Sequence, residues 1–209
     1  MLPLKWKARL LAVAAIALSA TLLYAALPTD PDISGPTTLA GQLLVAAPDL
    51  RDPPFGRAVI LLARHTKEGA LGVVINRPSG QRPLASLLTA HGLDARGIKE
   101  SVRVFNGGPV SPEIGFVIHS AEYRAPDTLD IDGRVALTTL SGVLPDIGLG
   151  KGPRKSLVAF GYAGWAPSQL EDELKRGFWL TVPEDLGLVF DEDRTRLWSN
   201  ALARHRTIQ

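Results

Sequence analysis

The apolar residues of this chain fall into many short runs separated by turn residues, and this pattern constrains the fold more than any other feature. Residues 57–63 (RAVILLA) and 70–76 (ALGVVIN) are too short for typical helices and flank the polar segment 65–69, which predicts a β-hairpin. Further strands are expected at residues 43–47, 102–105, 115–119, 135–138, 156–161, 178–182 and 187–190.

Helices are expected between these strands, and the clearest one covers residues 168–176. Ser168 is followed three residues later by Glu171, which is the capping-box arrangement, and Gly177 is a typical helix stop. Further helices are predicted at residues 84–90, 140–147 and 193–205. Many short strands with interspersed helices are typical of an α+β fold.

The N-terminal segment differs in character from the rest of the chain. Three basic residues, Lys5, Lys7 and Arg9, precede residues 10–27, which carry no charge. This length lies between that of a signal-peptide core and that of a membrane-spanning helix. It favours an uncleaved apolar anchor helix, with a cleaved signal peptide, an over-extended start codon or a buried helix as alternatives.

The basic flank predicts where the rest of the chain is located. It favours a cytoplasmic N-terminus, and therefore an inner-membrane protein with a periplasmic domain. Cleavage would instead release the domain into the periplasm, and an over-extended start codon would leave it in the cytoplasm.

The chain divides into three regions by composition. Residues 1–27 form the predicted membrane anchor or signal-like helix. Residues 28–38 read PTDPDISGPTT, and their prolines and lack of apolar periodicity indicate a linker. Residues 39–209 show no second boundary and no internal repeat, which predicts a single domain.

The charge balance argues against nucleic acid as a partner. The whole chain has 23 basic and 21 acidic residues, and three of the basic and two of the acidic residues precede position 39. The domain therefore has a net charge of +1, without the basic footprint of nucleic-acid-binding proteins. Because the chain has no cysteine, disulfides, thiolate catalysis and cysteine metal sites are excluded.

Three segments carry a resemblance to a known family. They are GQLLVAAPDLRDPPFGRAVILLARHTKEGALGVVINRP (41–78), VFNGGPVSPEIGFVIHS (104–120) and GYAGWAPSQLEDELKRGFWL (161–180). In order and spacing they resemble the YqgE/AlgH family, a bacterial family whose fold is known better than its chemistry. The resemblance implies a bifurcated mixed sheet curled into a pseudo-barrel with flanking helices, here preceded by the N-terminal apolar helix. It also implies a regulatory role, linked to alginate production, and not a defined reaction.

The histidines are candidates for chemistry but form no metal motif, because none lies three to five residues from another. His65 and His119 each close a predicted strand, at positions that the family tends to occupy with histidine. They are either facing acid/base groups at the rim of a cleft or side chains that bond turn carbonyls, and the second interpretation is favoured. The family often has a cysteine where this chain has Ala63, so a thiol-based role is excluded here.

Two glycine-containing segments allow both a functional and a structural interpretation. Gly107 and Gly108 permit close backbone approach and either line an anion or carbonyl site or reverse the chain between two strands; the turn is favoured. Residues 148–156 (GLGKGPRKS) mix glycines with basic residues but match no phosphate-binding motif, so a solvated loop is expected. Asn76 ends a strand, where asparagine commonly bonds its own backbone.

The third segment places Trp165 close to the predicted helix 168–176. An exposed Trp165 would anchor a ligand or partner, whereas a buried one would fill the core. Gln169, Glu171 and Glu173 are expected to be solvated or capping residues, with contact to a partner as an alternative for Glu173. The family usually has a glycine where this chain has Ser168, which is still expected to cap the helix.

Together these patterns favour a binding or regulatory module of the cell envelope, tethered through residues 10–27, over an enzyme. Its partner, a protein or a small molecule, is unknown; no cofactor or metal is expected, and no catalytic residue is assigned. The alternative is a hydrolase-type enzyme that uses His65 or His119 in a shallow cleft. The candidate binding residues are His65, Asn76, Gly107, Gly108, His119, Trp165 and Gln169.

Overall fold

Strand β9 (Ser156–Trp165) is the central strand of the sheet in the computed structural model, which describes residues 38–208. One edge of β9 pairs antiparallel with β6 (Val110–Ser120). The other edge is divided, because β5 (Ser101–Asn106) pairs in parallel with its first half and β3 (Gly69–Val74) pairs antiparallel with its second half. The other strands are β1 (Gln42–Ala46), β2 (Val59–Thr66), β4 (Pro78–Pro83), β7 (Leu129–Asp130), β8 (Val135–Thr139) and β10 (Trp179–Pro183).

The sheet therefore branches at β9. The main path has the strand order β10-β1-β2-β3-β9-β6-β8-β7, and β4 and β5 form the second branch. The sheet curls into a half-barrel with helices on its faces, so the predicted α+β class is confirmed. The helices are α1 (Leu84–Ala90), α2 (Leu140–Gly148), α3 (Gln169–Lys175), α4 (Leu186–Val189) and α5 (Leu197–Ile208).

Helices cover both faces of the sheet, which explains why strand β1 is an almost uninterrupted apolar run. Leu43 of β1 faces a cluster that includes Leu197 of α5, whereas the next residue, Leu44, faces the cluster beneath Leu170 of α3. A third cluster joins α1 and α2 to the sheet through residues such as Leu88. Because successive side chains point to opposite faces and both faces are buried, every position of β1 after the first is apolar.

Most predicted strands are confirmed, but residues 187–190 belong to α4 and not to a strand. Asp185 explains the difference, because its carboxylate accepts hydrogen bonds from the backbone N–H groups of Gly187 and Leu188 and caps the helix. The terminal helix begins at Leu197, later than predicted, since the Asp193 carboxylate accepts the Thr195 N–H in a preceding turn.

The predicted capping box at Ser168 is wrong. Ser168 has φ 62° in the left-handed region, and its side chain makes no capping hydrogen bond. The Gln169 side chain instead accepts the N–H of Ala166 at 3.0 Å. The left-handed conformation costs a non-glycine residue such as Ser168 about 1–2 kcal/mol.

The chain crosses directly over β9 at Gly107 and Gly108. The Gly107 N–H donates to the Phe160 carbonyl at 2.8 Å, and the Gly107 carbonyl accepts the Val74 N–H at 2.8 Å. A Cβ on Gly108 would lie 2.2 Å from the carbonyl carbon and oxygen of Tyr162. The predicted reversal between two strands is confirmed, since β5 runs parallel and β6 antiparallel to β9, but the two strands pair with opposite edges of β9 and not with each other.

Residues 1–37 lie outside the described part of the chain. The predicted apolar helix at residues 10–27 and nearly all of the predicted linker at 28–38 fall in this segment. Within residues 38–208, no helix is both long and apolar enough to cross a membrane.

Candidate functional site

His65 is held by protein groups at both ring nitrogens. Its Nδ1 atom accepts the backbone N–H of Leu39 at 3.1 Å, and its Nε2 atom lies 2.9 Å from Glu171 Oε1 on α3. Because the Leu39 group can only donate, Nδ1 must be the unprotonated nitrogen and Nε2–H must donate to the carboxylate. The side chain is 11% exposed, so this neutral imidazole fastens the start of the domain and α3 to the end of β2.

The Glu173 carboxylate is the centre of a second network on α3. Its Oε2 atom accepts the indole N–H groups of Trp165 at 2.9 Å and Trp179 at 2.8 Å, and its Oε1 atom accepts the Gln169 side-chain amide at 3.0 Å. One carboxylate therefore joins α3 to β9 and β10. The prediction that Glu173 is a solvated or capping residue is wrong.

Trp165 fills the core, which is one of the two interpretations that its position in the sequence allowed. It is 5% exposed and packs edge-on against Trp179, with the ring centroids 6.1 Å apart. Since both the indole N–H and the ring face are engaged inside the protein, Trp165 does not present an exposed surface to a partner.

His119 is completely buried at the end of β6. Its ring belongs to a series of hydrogen bonds in which the donor and acceptor of each bond can be assigned. Its Nδ1 atom lies 3.1 Å from the Ser120 carbonyl, which can only accept, so Nδ1 is protonated. The Nε2 atom then accepts the Thr138 hydroxyl at 2.7 Å, and the Thr138 oxygen accepts the Thr128 hydroxyl at 2.8 Å. The Thr128 oxygen is itself fixed as an acceptor by the Ala125 N–H at 2.8 Å.

The two histidines do not face each other across a cleft. His65 on β2 pairs with Ala70 on β3, and Ala70 pairs with Trp165 at one end of β9. His119 on β6 pairs with Ser156 at the other end of β9. Nine residues of extended strand correspond to roughly 30 Å. Within residues 38–208, no group of three or more His, Asp or Glu side chains is placed to share a metal ion.

The stability of the protein should fall as the pH is lowered below the ordinary histidine pKa of 6.5, because burial lowers the pKa of His119. The folded protein keeps His119 neutral while the unfolded chain takes up a proton, so this contribution is complete above pH 6.5 and is lost below it, by at most about 1.4 kcal/mol per pH unit. Urea unfolding between pH 5 and 8 should show this slope for the natural chain and lose it for His119→Gln. An unchanged slope in the variant would contradict the assignment.

Glu184 must be considered in that measurement, because it gives a slope of the opposite sign. Its side chain is 1% exposed, and burial together with a hydrogen bond to Asp132 raises its pKa to about 7. Its contribution to stability is therefore present at low pH and is lost as the pH rises from 4.5 to about 7. Glu184 titrates in both proteins, so the difference between the two pH profiles isolates His119.

The remaining predicted binding groups are engaged in structural contacts. The Asn76 side chain accepts the Val59 N–H at 2.9 Å and donates to the Arg57 carbonyl at 2.8 Å. The Gly108 N–H donates to the Asn106 side chain at 3.1 Å, and the Gly107 N–H is used at the strand crossing. His65, Trp165 and Gln169 come together around α3, whereas Asn76, the glycine pair and His119 lie elsewhere.

A cleft of about 530 Å³ is lined by none of the seven predicted residues, although His119 directly precedes its lining residue Ser120. Segments from three parts of the chain line it: residues 120–122 at the end of β6, residues 133–134 before β8 and residues 154–155 before β9, together with Leu186. Three cationic side chains and one carboxylate, Arg134, Arg154, Lys155 and Glu122, belong to this lining. The glycine-rich segment 148–156 is the sequence signal for the site, since it supplies two of the three cations.

Contacts with residues close to the cleft fix its charged groups in position. Burial raises the pKa of Glu122, but the Arg154 backbone N–H at 2.8 Å and the Ser120 hydroxyl at 2.9 Å outweigh it and lower the pKa to about 2. Arg134 Nη2 lies 2.5 Å from Glu184 Oε2. The cleft therefore has an ionised carboxylate, Glu122, and a guanidinium, Arg134, that lies against the buried Glu184 side chain.

Comparisons with known proteins agree with the fold. A family model described as AlgH-like matches residues 43–207. A UPF0301 protein of Afipia carboxidovorans is 40% identical over 186 residues, which cover 85% of this chain and 89% of that protein. A UPF0301 protein of Xanthomonas campestris pv. campestris is 44% identical over 172 residues, covering 81% and 90% of the two chains.

Two solved structures are also similar. The solution structure of the AlgH protein from Pseudomonas aeruginosa has a TM-score of 0.67 and 40% identity, and the match covers 82% of this chain and 90% of that chain. A crystal structure of a Corynebacterium diphtheriae protein has a TM-score of 0.62 at 21% identity, covering 87% and 92%, and shows the shared fold alone.

Proposed function

The chain belongs to the AlgH-like family, which confirms the resemblance seen in its sequence, and from this premise we propose that it is a binding or regulatory module of the cell envelope with no reaction of its own. In this proposal residues 39–209 are the working domain, and residues 10–27, joined by the linker 28–38, hold it at the inner membrane.

One observation carries the non-enzymatic part of the proposal. A general base needs a free nitrogen within reach of a substrate. At His65 the Leu39 N–H and Glu171 occupy both ring nitrogens, and at His119 the Ser120 carbonyl and Thr138 do so in a fully buried position. Both histidines therefore act as fixed parts of the fold.

A hydrolase that uses His65 is the second candidate, and the 2.9 Å contact between His65 Nε2 and Glu171 favours it. The variant His65→Gln separates the two functions, because glutamine can still donate to Glu171 and accept from Leu39 but cannot transfer a proton at neutral pH. For a binding module, His65→Gln should restore whatever phenotype accompanies loss of the protein. A variant with an unchanged thermal unfolding midpoint that fails to restore it would instead support hydrolysis.

The location is tested by reporters fused after Gln209, one active only in the periplasm and one active only in the cytoplasm. The basic residues before the apolar segment 10–27 lead us to expect the periplasmic signal. A cytoplasmic signal would contradict the envelope assignment and leave the binding role to be sought inside the cell. Salt and carbonate washing of membranes from the same cells distinguishes an anchored chain from a released one.

A further inference from the structure

The cleft lined by Ser120, Glu122, Arg134, Arg154 and Lys155 has the features of a site for an anion. The backbone that carries Arg154 and Lys155 is fixed, because the Arg154 N–H donates to Glu122 and the Lys155 N–H donates to the Ser120 hydroxyl at 3.1 Å. Two adjacent cationic side chains therefore extend from an anchored segment and not from a free loop.

The charges in the cleft are unequal. Glu122 is its one acidic lining residue, and it is occupied by the Ser120 hydroxyl and the Arg154 N–H, with the Arg154 guanidinium 3.5 Å away. Among the described residues, no carboxylate forms an ion pair with Lys155. Because Arg154 pairs with Glu122, and Arg134 pairs with Asp132 and Glu184, the lining cation left without a carboxylate within residues 38–208 is Lys155.

The third cation lies on the other side of residues 120–121, because the Ala121 N–H donates to the Arg134 carbonyl at 3.0 Å and the Ser120 N–H donates to the Lys155 carbonyl at 3.1 Å. Arg134 is 57% exposed and lines the cleft, and its Nη2 atom lies 2.5 Å from Glu184 Oε2 and 3.4 Å from Asp132 Oδ2. An anion between Arg134 and Lys155 would meet positive charge from two segments whose backbones the fold keeps in place.

We propose that this cleft binds a small ligand that carries two or more phosphate or carboxylate groups. A volume of about 530 Å³ is within the range of small-molecule sites. The chemistry of guanidinium and ammonium groups suits phosphate and carboxylate oxygens, through charge-assisted hydrogen bonds. The proposal deepens the binding role proposed above by naming the ligand class.

The test is isothermal titration calorimetry of the full-length chain in a nonionic detergent, with inorganic pyrophosphate as the probe. We expect binding that weakens as the salt concentration is raised, and that becomes about tenfold weaker in Lys155→Gln and in Arg154→Gln. Lys175→Gln is the matched control, because Lys175 is 78% exposed on α3 and does not line the cleft, and it should leave the affinity unchanged.

The same phosphate chemistry occurs in lipid headgroups, and a second arm separates the two sources. Co-sedimentation with phosphatidic acid vesicles is measured for the natural chain, Lys155→Gln and Lys175→Gln. If Lys155→Gln loses pyrophosphate binding, the site is assigned to a free ligand. If Lys155→Gln loses vesicle binding and the natural chain does not bind pyrophosphate, the site is assigned to a lipid headgroup. If neither probe binds in a way that depends on Lys155, the cleft assignment is overturned, whereas the location and complementation results above are unaffected.

Discussion

Gly108→Ala should destabilise the protein by about 4 kcal/mol or more, which is a large part of the stability of an ordinary domain. The new Cβ would lie 2.2 Å from the carbonyl carbon and oxygen of Tyr162, and both are backbone atoms of the central strand that cannot rotate away. Relief would require β5 and β6 to separate from β9, on which the sheet depends. Soluble yield in cells and urea unfolding of the purified chain measure the effect.

Gly80→Ala is the control for this prediction. Gly80 also has a positive φ, 131° compared with 151° at Gly108, but a Cβ at this position would have no atom within 4 Å of it. Its substitution should cost only the backbone strain, about 1–2 kcal/mol. If the two variants were equally stable, the close crossing over β9 would not be the reason for glycine at position 108.

This crossing shows where sequence reasoning reached its limit. Two adjacent glycines correctly indicated that backbone comes close to another group. The sequence did not indicate which group, because the partner is Tyr162 on β9 and the parallel pairing of β5 with β9 is non-local. By contrast, the β2–β3 hairpin was predictable, since its two runs and its turn are contiguous in the chain.

The same distinction explains the misassigned elements. The apolar segment 187–190 fits a buried strand as well as a short helix, and the cap from Asp185 decided for the helix. Ser168 matched the capping pattern, but the pattern does not contain the φ angle of 62° that turns its side chain away. Short motifs therefore predicted where elements lie better than they predicted the geometry of individual side chains.

For the candidate site, the sequence identified residues that hold the fold together. His65, Trp165 and Gln169 do meet around α3, but their hydrogen bonds are made within the protein. The charged cleft was not predicted, because its lining is assembled from positions near 120, 134 and 154, which only the pairing of β6 with β8 and β9 brings together.

Glu173→Ala should destabilise the protein by about 2–4 kcal/mol, the second largest effect that we expect. The carboxylate is the common acceptor for Trp165 and Trp179, and both indoles are at most 5% exposed. Each buried N–H left without an acceptor costs about 1–3 kcal/mol. Urea unfolding gives the magnitude, and tryptophan emission should shift to longer wavelength if water replaces the carboxylate.

Two further substitutions on α3 determine whether this loss is specific. Glu173→Gln keeps one oxygen that can accept both indole groups, so we expect it to lose only about 1 kcal/mol. Glu171→Ala removes a carboxylate that is 43% exposed and bonds only His65 among these side chains, and should lose about 0.5 kcal/mol. If Glu173→Ala lowered the free energy of unfolding no more than Glu171→Ala does, the indole hydrogen bonds would contribute no more than an ordinary surface pair. The attachment of α3 would then have to come from the packing of Leu170 in the core.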